Sequence, residues 1–436
     1  MAKNICVIGT GYVGLLTAVG LADFGNQIIG VDVDGNKINS LNEGKSVIYE
    51  PGIEEYLTKN ISAGRLRFTI DLQSALEKSE VVFIAVGTPS LETGEADLHY
   101  LYEVIDSIAD NIKEYKLIVI KSTVLVGTNR NIYNRIKAKT STPFDIVSNP
   151  EFLREGKAVY DFFHPERVVI GYNSNNAKEI IEDIYKAFNR ASVPFVWCNW
   201  ETAELIKYAS NAFLAIKIGF TNQIASLCEE VGADVRIVSK AMGMDGRIGS
   251  KFLHSGPGYG GSCFPKDTRA LASVGKKKGV PITIVEAVIE ANENQKKRVV
   301  KRLEKRLGDL KDKEIGILGL AFKAETDDIR ESPAIDIVSS LFSLGARIQA
   351  HDPQAMSNFS VLFPAIKYMN SAYDVAKGCD ALLILTEWNE YRSLDMVKIK
   401  EYMANPYIFD TRNIIAEDEL KKYGFSYDFI GHLGSS

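Results

Sequence analysis

Cysteine and histidine are both scarce in this chain of 436 residues, which contains five of each. The cysteines, at positions 6, 198, 228, 263 and 379, are odd in number, scattered, and without the close spacing of metal ligands. This pattern excludes a disulfide framework and a zinc site and favours a reducing compartment. We therefore expect a cytoplasmic protein that holds no metal.

A strong charge of one sign and long hydrophobic runs are also absent. The formal net charge is only −5, and the basic cluster at 296–306 is interleaved with Glu304 and apolar residues, as on a solvated helix face. Nucleic acid is therefore not an expected partner. The apolar N-terminal stretch is interrupted by glycines and Asp23, which fits neither a signal peptide nor a membrane span. At 46% hydrophobic and 25% charged residues, the composition is typical of globular proteins, and the length allows two to three domains.

Residues 4–34 predict a strand, a glycine turn, a helix and a second strand in that order. In a dinucleotide-binding turn, Gly9 would permit the tight bend, Gly11 would let a pyrophosphate approach the backbone, and Gly14 would let helix and strand pack closely. Asp32 ends the second strand, where a carboxylate accepts hydrogen bonds from ribose hydroxyls and repels a 2′-phosphate. The pattern indicates NAD rather than NADP as cofactor.

Three further apolar runs, at 81–89, 117–124 and 144–152, alternate with helical segments and predict a doubly wound parallel sheet. They end in Thr88, Thr123 and Glu151. Ligands of such sheets bind beyond the carboxyl ends of the strands. Any one of these residues could merely cap the next helix, but the three together favour a site.

Residues 201–235 predict a helix of about thirty residues that is apolar on most of its circumference, as expected of a helix buried between domains or against a second subunit. Lys207 and Asn211 lie four apart and therefore on one face. A buried ammonium group needs a partner, so Lys207 either extends to water or faces a polar cavity.

A second βαβ unit at 313–353 repeats the first but lacks the three-glycine pattern, since Gly319 precedes Leu-Ala-Phe-Lys323. We predict two Rossmann-like α/β domains joined by a long central helix, with a cofactor and a nucleotide-tagged substrate meeting between them. The predicted domains are 1–200, 201–300 and 301–436, and the tail at 432–436 is expected to be disordered.

Cys263 stands in the glycine-rich run GYGGSCFPKDT at 258–268. A small buried thiol is the simplest interpretation. A reactive nucleophile is instead favoured by the bare backbone, by the cation Lys266 with Lys207 as a second candidate, and by Asp267 as a candidate base. Such a thiol would let an NAD enzyme oxidise an aldehyde, because a thiohemiacetal can lose a second hydride and become a thioester that water hydrolyses. Lys207 and Asn211 would then donate to the oxyanions.

The motifs GTGYVG, NPEFLREG, ELIKYASNAF, KFL followed by GYGGSCFPKD, GLAFK and DDIRES occur in an order that resembles the UDP-glucose 6-dehydrogenases over nearly the whole chain. The resemblance implies oxidation of UDP-glucose to UDP-glucuronate with two NADH formed, and Cys263 as the nucleophile. It also implies that Lys207 and Asn211 serve the oxyanion, that Asp267 with Thr123 positions or activates water, and that Glu151 assists thioester hydrolysis. A homodimer through the long helix is implied as well, with Arg247 reaching across the interface.

The resemblance further implies two sets of binding residues. The residues that would hold NAD are Gly9, Gly11, Gly14, Asp32, Lys37, Thr88, Thr123, Glu155, Lys266 and Arg330. The residues that would contact the substrate are Glu151, Phe152, Leu153, Lys207, Asn211, Arg247, Lys251, Phe252, Leu253, His254, Ser255, Gly256, Gly260, Lys323 and Arg412. His254 and Pro265 depart from the common pattern of the family.

Three alternatives stay open. Related enzymes oxidise GDP-mannose or UDP-N-acetylhexosamines. Two-electron hydroxyacid dehydrogenases also use a helical Lys–Asn pair, but they need no cysteine and form one NADH. An NAD-responsive binding protein is a third possibility, although it would have no use for an activated thiol.

Overall fold

The computed structural model describes residues 2–91 and 94–432. Contacts divide the chain into two compact units, 1–210 and 211–436, and each is described by itself. The predicted three-part division at residues 200 and 300 stays a prediction. Of the tail expected to be disordered, His432 forms an isolated bridge with Phe429, and residues 433–436 lie outside the described residues.

The first unit is built on an eight-stranded sheet with the order β3-β2-β1-β4-β5-β6-β7-β8. The strands are β1 (Asn4–Ile8), β2 (Gln27–Val31), β3 (Leu66–Thr69), β4 (Val81–Ile84), β5 (Lys116–Ile120), β6 (Phe144–Ser148), β7 (Val168–Tyr172) and β8 (Phe195–Cys198). Every neighbouring pair is parallel except β6 and β7, which are antiparallel. The predicted doubly wound sheet is confirmed, with this one reversal.

Helices cover both faces of this sheet, because its central strands are apolar on both sides. Ile5 and Val7 of β1 belong to one hydrophobic core, and Cys6 and Ile8 belong to another. The helices are α1 (Tyr12–Asp23), α2 (Gly35–Asn42), α3 (Ile53–Ser62), α4 (Leu72–Glu77), α5 (His99–Asn111), α6 (Thr128–Lys139), α7 (Ala158–Phe163), α8 (Asn175–Ile184) and α9 (Lys186–Arg190).

The long helix α10 spans Trp200–Val231, 32 residues, close to the predicted range. It ends before Gly232, whose positive φ of 72° an L-residue adopts only with strain. For one face of this helix, burial between domains or against a second subunit stays a prediction. Phe213, Phe220 and Leu227, seven residues apart, are exposed on it.

The second unit contains a six-stranded parallel sheet with the order β11-β10-β9-β12-β13-β14. The strands are β9 (Glu314–Leu318), β10 (Arg347–His351), β11 (Lys367–Tyr368), β12 (Ala381–Ile384), β13 (Tyr407–Asp410) and β14 (Ser426–Phe429). Its helices are α11 (Val235–Gly243), α12 (Phe264–Lys277), α13 (Thr283–Leu307), α14 (Pro333–Ser343), α15 (Met356–Leu362), α16 (Ala372–Ala376), α17 (Asn389–Arg392), α18 (Met396–Tyr402) and α19 (Glu417–Lys422). The predicted second Rossmann-like sheet is confirmed.

The two sheets repeat one local arrangement. Asp352 follows β10 as Asp32 follows β2, and it is fully buried. It accepts hydrogen bonds from the backbone nitrogens of Leu320 and Ala321, at 2.7 and 3.0 Å, in the turn after β9. In the second unit, the Asp352 carboxylate therefore stabilises the turn after β9.

Candidate active site

The glycine turn after β1 has the geometry that its sequence predicts. Gly9 has φ of 90°, and a Cβ there would lie 2.7 Å from the carbonyl oxygen of Ala85. At Gly14 a Cβ would lie 1.7 Å from the oxygen of Gly9. At Gly11 no atom lies within 4 Å of the Cβ position, so the backbone is open to the close approach of a pyrophosphate. The turn fits a dinucleotide.

Asp32 is held by the same turn. Its Oδ2 accepts the backbone nitrogen of Thr10 at 2.9 Å and the Thr10 hydroxyl at 2.8 Å. Partial burial opposes ionisation, but these hydrogen bonds, one from the nitrogen of Asp34, and the Lys37 charge outweigh it and leave the pKa of Asp32 below its ordinary value. A carboxylate that stays ionised at this edge would repel a 2′-phosphate.

Two other predicted cofactor residues meet at the carboxyl edge of the sheet. The Thr88 hydroxyl donates to the carbonyl oxygen of Thr123 at 2.9 Å, which joins the segments after β4 and β5. Glu155 lies, partly buried, in the segment between β6 and α7.

Glu151 and Lys207 form a buried ion pair in the first unit, with Nζ 2.8 Å from Oε1 and side chains 7% and 4% exposed. The ammonium also donates to the carbonyl oxygen of Glu151 at 2.8 Å, and Oε2 accepts the backbone nitrogen of Leu153. Burial opposes ionisation of Glu151, but Lys207 and these hydrogen bonds hold its pKa below the ordinary value. The interpretation of Lys207 as a side chain that extends to water is wrong.

A second buried lysine near this pair was missed from the sequence. Lys121, 6% exposed, directly follows β5, and its ammonium donates to Oδ1 and to the carbonyl oxygen of Asn149 at 3.2 and 3.4 Å. The Tyr185 hydroxyl donates to the same Oδ1 at 2.7 Å. Burial lowers the pKa of Lys121 to about 8, with Glu151 and Lys207 acting in opposite directions. The signal that marked Thr123, a polar residue just beyond a strand, also applied to Lys121.

Two cations lie near the ring of Phe152. The Arg167 guanidinium lies 4.0 Å from the ring centroid, and the Lys207 ammonium lies 5.4 Å from it. Both distances allow cation–π attraction. Sequence patterns carried no signal for Arg167.

In the second unit, Cys263 occupies the N-cap position of α12 and is partly buried. The helix dipole favours a negative charge here, as a thiolate carries. The sulfur lies 3.5 Å from the Ser262 hydroxyl. This helix was not predicted from the sequence, although Pro265 and Asp267 in its first turn are helix start signals.

Three predicted residues meet around one carboxylate. Asp267 is fully buried. Its Oδ2 accepts the Asn211 amide at 2.6 Å, and its Oδ1 accepts the Lys266 ammonium at 2.7 Å. Asn211 of α10 is therefore hydrogen-bonded to Asp267 in the first turn of α12, four residues after the N-cap Cys263.

The glycines before Cys263 are explained by packing. A Cβ at Gly260 would lie 2.2 Å from the oxygen of Glu331, one at Gly261 would meet the Phe322 ring, and one at Gly258 would lie 3.1 Å from Oδ1 of Asn292. The bare backbone thus lets this loop lie directly against neighbouring segments, a reason that sequence alone did not supply.

Three residues of the predicted substrate loop, Leu253, His254 and Ser255, line a cavity of about 410 Å³. Arg412 lines the same cavity. Arg412 donates to the carbonyl oxygen of Leu385 at 2.7 Å and lies 3.2 Å from a carboxylate oxygen of Glu387. Burial, and after it Arg412, lowers the pKa of His254. A Cβ at Gly256 would lie 3.2 Å from the Arg412 guanidinium, so a side chain here would require Arg412 to shift slightly.

The remaining predicted residues lie in other surroundings. Phe252 adopts a positive φ of 65°, an uncommon conformation outside glycine. Arg247 pairs with Asp245 and is 90% exposed. Arg330 pairs with Asp328, Lys323 lies over the Phe322 ring, and Lys251 is exposed.

Residues 2–91 and 94–432 contain neither a candidate metal-binding cluster nor a candidate membrane-spanning helix. No cluster of three or more His, Cys, Asp or Glu side chains there could hold a metal ion. Within the same ranges, every helix is too short or too polar to cross a membrane.

Models of three domains of one family match the chain. The NAD-binding domain of the UDP-glucose/GDP-mannose dehydrogenase family matches residues 3–189, its central domain 201–294, and its UDP-binding domain 316–417.

Individual proteins are similar over nearly the full length. A UDP-glucose 6-dehydrogenase of Rhizobium meliloti is 46% identical over 98% of this chain and 99% of its own length. UDP-glucose 6-dehydrogenase TuaD of Bacillus subtilis is 46% identical over 98% of this chain and 93% of its own. The solved structure of a UDP-glucose dehydrogenase from Pyrobaculum islandicum, 37% identical, superposes with a TM-score of 0.92 and covers 99% of this chain and 98% of that one.

Proposed function

Because the chain belongs to the UDP-glucose/GDP-mannose dehydrogenase family and is an NAD-dependent oxidoreductase, we propose that it oxidises UDP-glucose to UDP-glucuronate in two steps. The observation that carries the mechanism is the position of Cys263, the cap of α12, one turn before the Asp267 carboxylate that Asn211 and Lys266 bind. A two-electron alcohol dehydrogenase needs no nucleophile at such a position.

The cofactor accepts one hydride in each oxidation. Gly9, Gly11 and Gly14 would hold its pyrophosphate, and Asp32 would accept hydrogen bonds from its ribose hydroxyls. The further contacts proposed for it are Lys37, Thr88, Thr123, Glu155, Lys266 and Arg330.

The order in which bonds form and break follows from the use of Cys263 as the nucleophile. The alcohol loses a proton and a hydride and becomes an aldehyde. The Cys263 thiolate adds to the aldehyde carbon, and protonation of the oxygen gives a thiohemiacetal. Loss of a second proton and hydride leaves a thioester, which water cleaves to the carboxylic acid and the free thiol.

Two donors are proposed to stabilise the oxyanions of these steps. An amide nitrogen carries two hydrogens, so Asn211 can bond Asp267 and an oxyanion together. Lys207 would turn an ammonium hydrogen from Glu151 toward the oxyanion, which leaves Glu151 able to accept a proton during thioester hydrolysis. Asp267 and Thr123 are proposed to position the water. One oxyanion donor is typically worth about 2.7–4 kcal/mol of the barrier.

The substrate contacts are proposed from the resemblance, and the cavity beside Arg412 supports part of them. The family model of the UDP-binding domain covers Lys323 and Arg412. The proposed contacts are Glu151, Phe152, Leu153, Lys207, Asn211, Arg247, Lys251, Phe252, Leu253, His254, Ser255, Gly256, Gly260, Lys323 and Arg412.

A homodimer through α10 is part of the proposal. The exposed row of Phe213, Phe220 and Leu227 supports it, because apolar rows of this kind mark contact surfaces. Replacing Phe220 with Glu should shift the chain toward monomers in light scattering, and an unchanged mass would refute an interface on this face. We also propose a cytoplasmic location, in line with five free cysteines.

The test is a comparison of sugar nucleotides. UDP-glucose, GDP-mannose and UDP-N-acetylhexosamines are each supplied with NAD, and kcat/KM and products are measured. The proposal predicts UDP-glucuronate from UDP-glucose at the highest kcat/KM. A higher value for another sugar nucleotide would assign a different member of the family.

A further inference from the structure

Glu50 is a buried carboxylate that the proposed mechanism does not use. It lies between α2 and α3 and is 5% exposed. Every donor that the structure describes for it is neutral. Its Oε2 accepts the backbone nitrogen of Gly156 at 2.7 Å and the hydroxyl of Tyr12, and its Oε1 accepts the nitrogen of Ala158 at 2.7 Å.

The donors come from two functionally distinct segments. Tyr12 begins α1 and stands between the second and third glycines of the dinucleotide turn. Gly156 and Ala158 lie in the segment from β6 into α7, directly after the proposed substrate contacts 151–153 and Glu155. The nitrogen of Gly156 also lies 3.1 Å from the Tyr12 oxygen. One carboxylate and one hydroxyl thus join the cofactor turn to the substrate segment.

Both carboxylate oxygens of Glu50 serve as hydrogen-bond acceptors at this junction. Burial, and after it the Glu50 carboxylate, raises the pKa of the Tyr12 hydroxyl, so Tyr12 remains the donor. An amide at position 50 would place an N–H group against one of the backbone nitrogens, because both carboxylate oxygens accept backbone hydrogen bonds. A shift of either segment therefore stretches hydrogen bonds to the other.

We propose, on the basis of the function above, that Glu50 is a positioning residue that couples the cofactor turn to the substrate segment through Tyr12, so that each ligand tightens the binding of the other. Thermodynamic linkage requires that each ligand raise the binding affinity of the other by the same factor. Glu50 contacts neither ligand in this account. It acts through Tyr12 on one side and through the backbone of 156–158 on the other.

The experiment measures NADH affinity by fluorescence with and without saturating UDP-glucose, a pair of ligands that cannot react with each other. For the wild type we expect UDP-glucose to tighten NADH binding about 5-fold or more, within the usual range of coupling. Tyr12→Phe keeps the bonds from Glu50 to Gly156 and Ala158 but removes the bond across to α1. In Tyr12→Phe, UDP-glucose should change the affinity for NADH by a factor of only about one, and the melting temperature should be nearly unchanged. Glu50→Gln should lower both the coupling factor and the melting temperature.

A matched control separates coupling from stability. Glu204 is also a buried carboxylate that accepts backbone hydrogen bonds, from Gly127 at 2.6 Å and Asn129 at 2.8 Å. Glu204→Gln should lower the melting temperature and keep the wild-type coupling factor.

The proposal is overturned if Tyr12→Phe keeps the wild-type factor, or if the wild type itself has a factor of one while turning over UDP-glucose. Absence of turnover with UDP-glucose would instead refute the proposed function. The titration is then made with the sugar nucleotide that is turned over, and a factor of one there also overturns the coupling.

Discussion

The side-chain amide nitrogen of Asn211 lies 2.6 Å from Oδ2 of Asp267, while the Lys266 ammonium lies 2.7 Å from Oδ1. A fully buried carboxylate is thus held by one neutral and one charged donor in the helix that Cys263 caps. It has a fixed orientation and cannot be replaced by an amide without losing an acceptor.

Asp267→Asn should slow hydrolysis of the thioester more than either oxidation. The new amide presents N–H groups to Asn211 or Lys266, so the water-positioning acceptor is lost. We expect a rapid burst of NADH followed by turnover reduced about 100-fold or more, within the range of general-base effects. Rapid mixing detects the burst, and intact-protein mass detects the adduct on Cys263.

Asp336→Asn is the matched control, because Asp336 pairs with Lys296 in the same unit and has no proposed role in the reaction. It should show neither burst nor adduct. Steady turnover without an adduct in Asp267→Asn would contradict the assignment.

The Lys207–Glu151 pair allows a double-mutant cycle. Lys207→Met leaves the buried Glu151 carboxylate without its ammonium partner, which costs about 3–5 kcal/mol of stability in comparable buried pairs. Adding Glu151→Gln removes the uncompensated charge and should restore part of the free energy of unfolding, without restoring activity. Chemical denaturation measures the four stabilities. Strict additivity of the two changes would show that the pair is not coupled.

Much of the fold follows from local patterns. Strands β1, β2, β4 and β5 are short apolar runs between turn signals. In the glycine turn, a Cβ at position 9 or 14 would collide with neighbouring backbone atoms. The candidate site was only partly predictable, for a physical reason. Lys207 was found by its contrast with an apolar helix, but its partner Glu151 is 56 residues away, and no periodicity encodes that pairing.

Buried residues whose partners come from other parts of the chain gave weaker sequence signals. Lys121 sits beyond a strand as Thr123 does, yet its burial depends on Asn149 and Tyr185, which come from other elements. Glu50 lies in an irregular segment, and its partners are backbone nitrogens that have no sequence signature at all.

Lys121 should make stability depend on pH in a defined window. Its pKa is about 8 in the folded chain, lowered by burial, against about 10.4 for an unfolded lysine. Between these values the unfolded chain binds more protons, so the contribution of Lys121 to stability rises with pH, and below about pH 8 its full burial cost is present. The melting temperature of the wild type should therefore rise relative to Lys121→Met from about pH 8 to about pH 10.

Lys113→Met serves as control, because the Lys113 side chain is 75% exposed. Its difference from the wild type should stay constant across that window. A constant difference for Lys121→Met as well would contradict the lowered pKa.

Asp32→Asn should relax the choice of cofactor. The amide can still accept a hydrogen bond from the Thr10 nitrogen, but it no longer repels a 2′-phosphate. We expect the ratio of kcat/KM for NAD to that for NADP to fall about 10-fold or more, which corresponds to about 1.4 kcal/mol. Asp34→Asn, which alters the N-cap of α2 two residues later, should leave this ratio unchanged. An unchanged ratio in Asp32→Asn would show that the carboxylate does not select the cofactor.

The central claim is that Cys263 holds the substrate covalently between two oxidations, and the yield of NADH per UDP-glucose consumed tests it most directly. The wild type should form two NADH per UDP-glucose, and Cys263→Ala should form no UDP-glucuronate while still binding NAD. A yield of one NADH per sugar from the wild type, or normal UDP-glucuronate from the alanine variant, would contradict the mechanism.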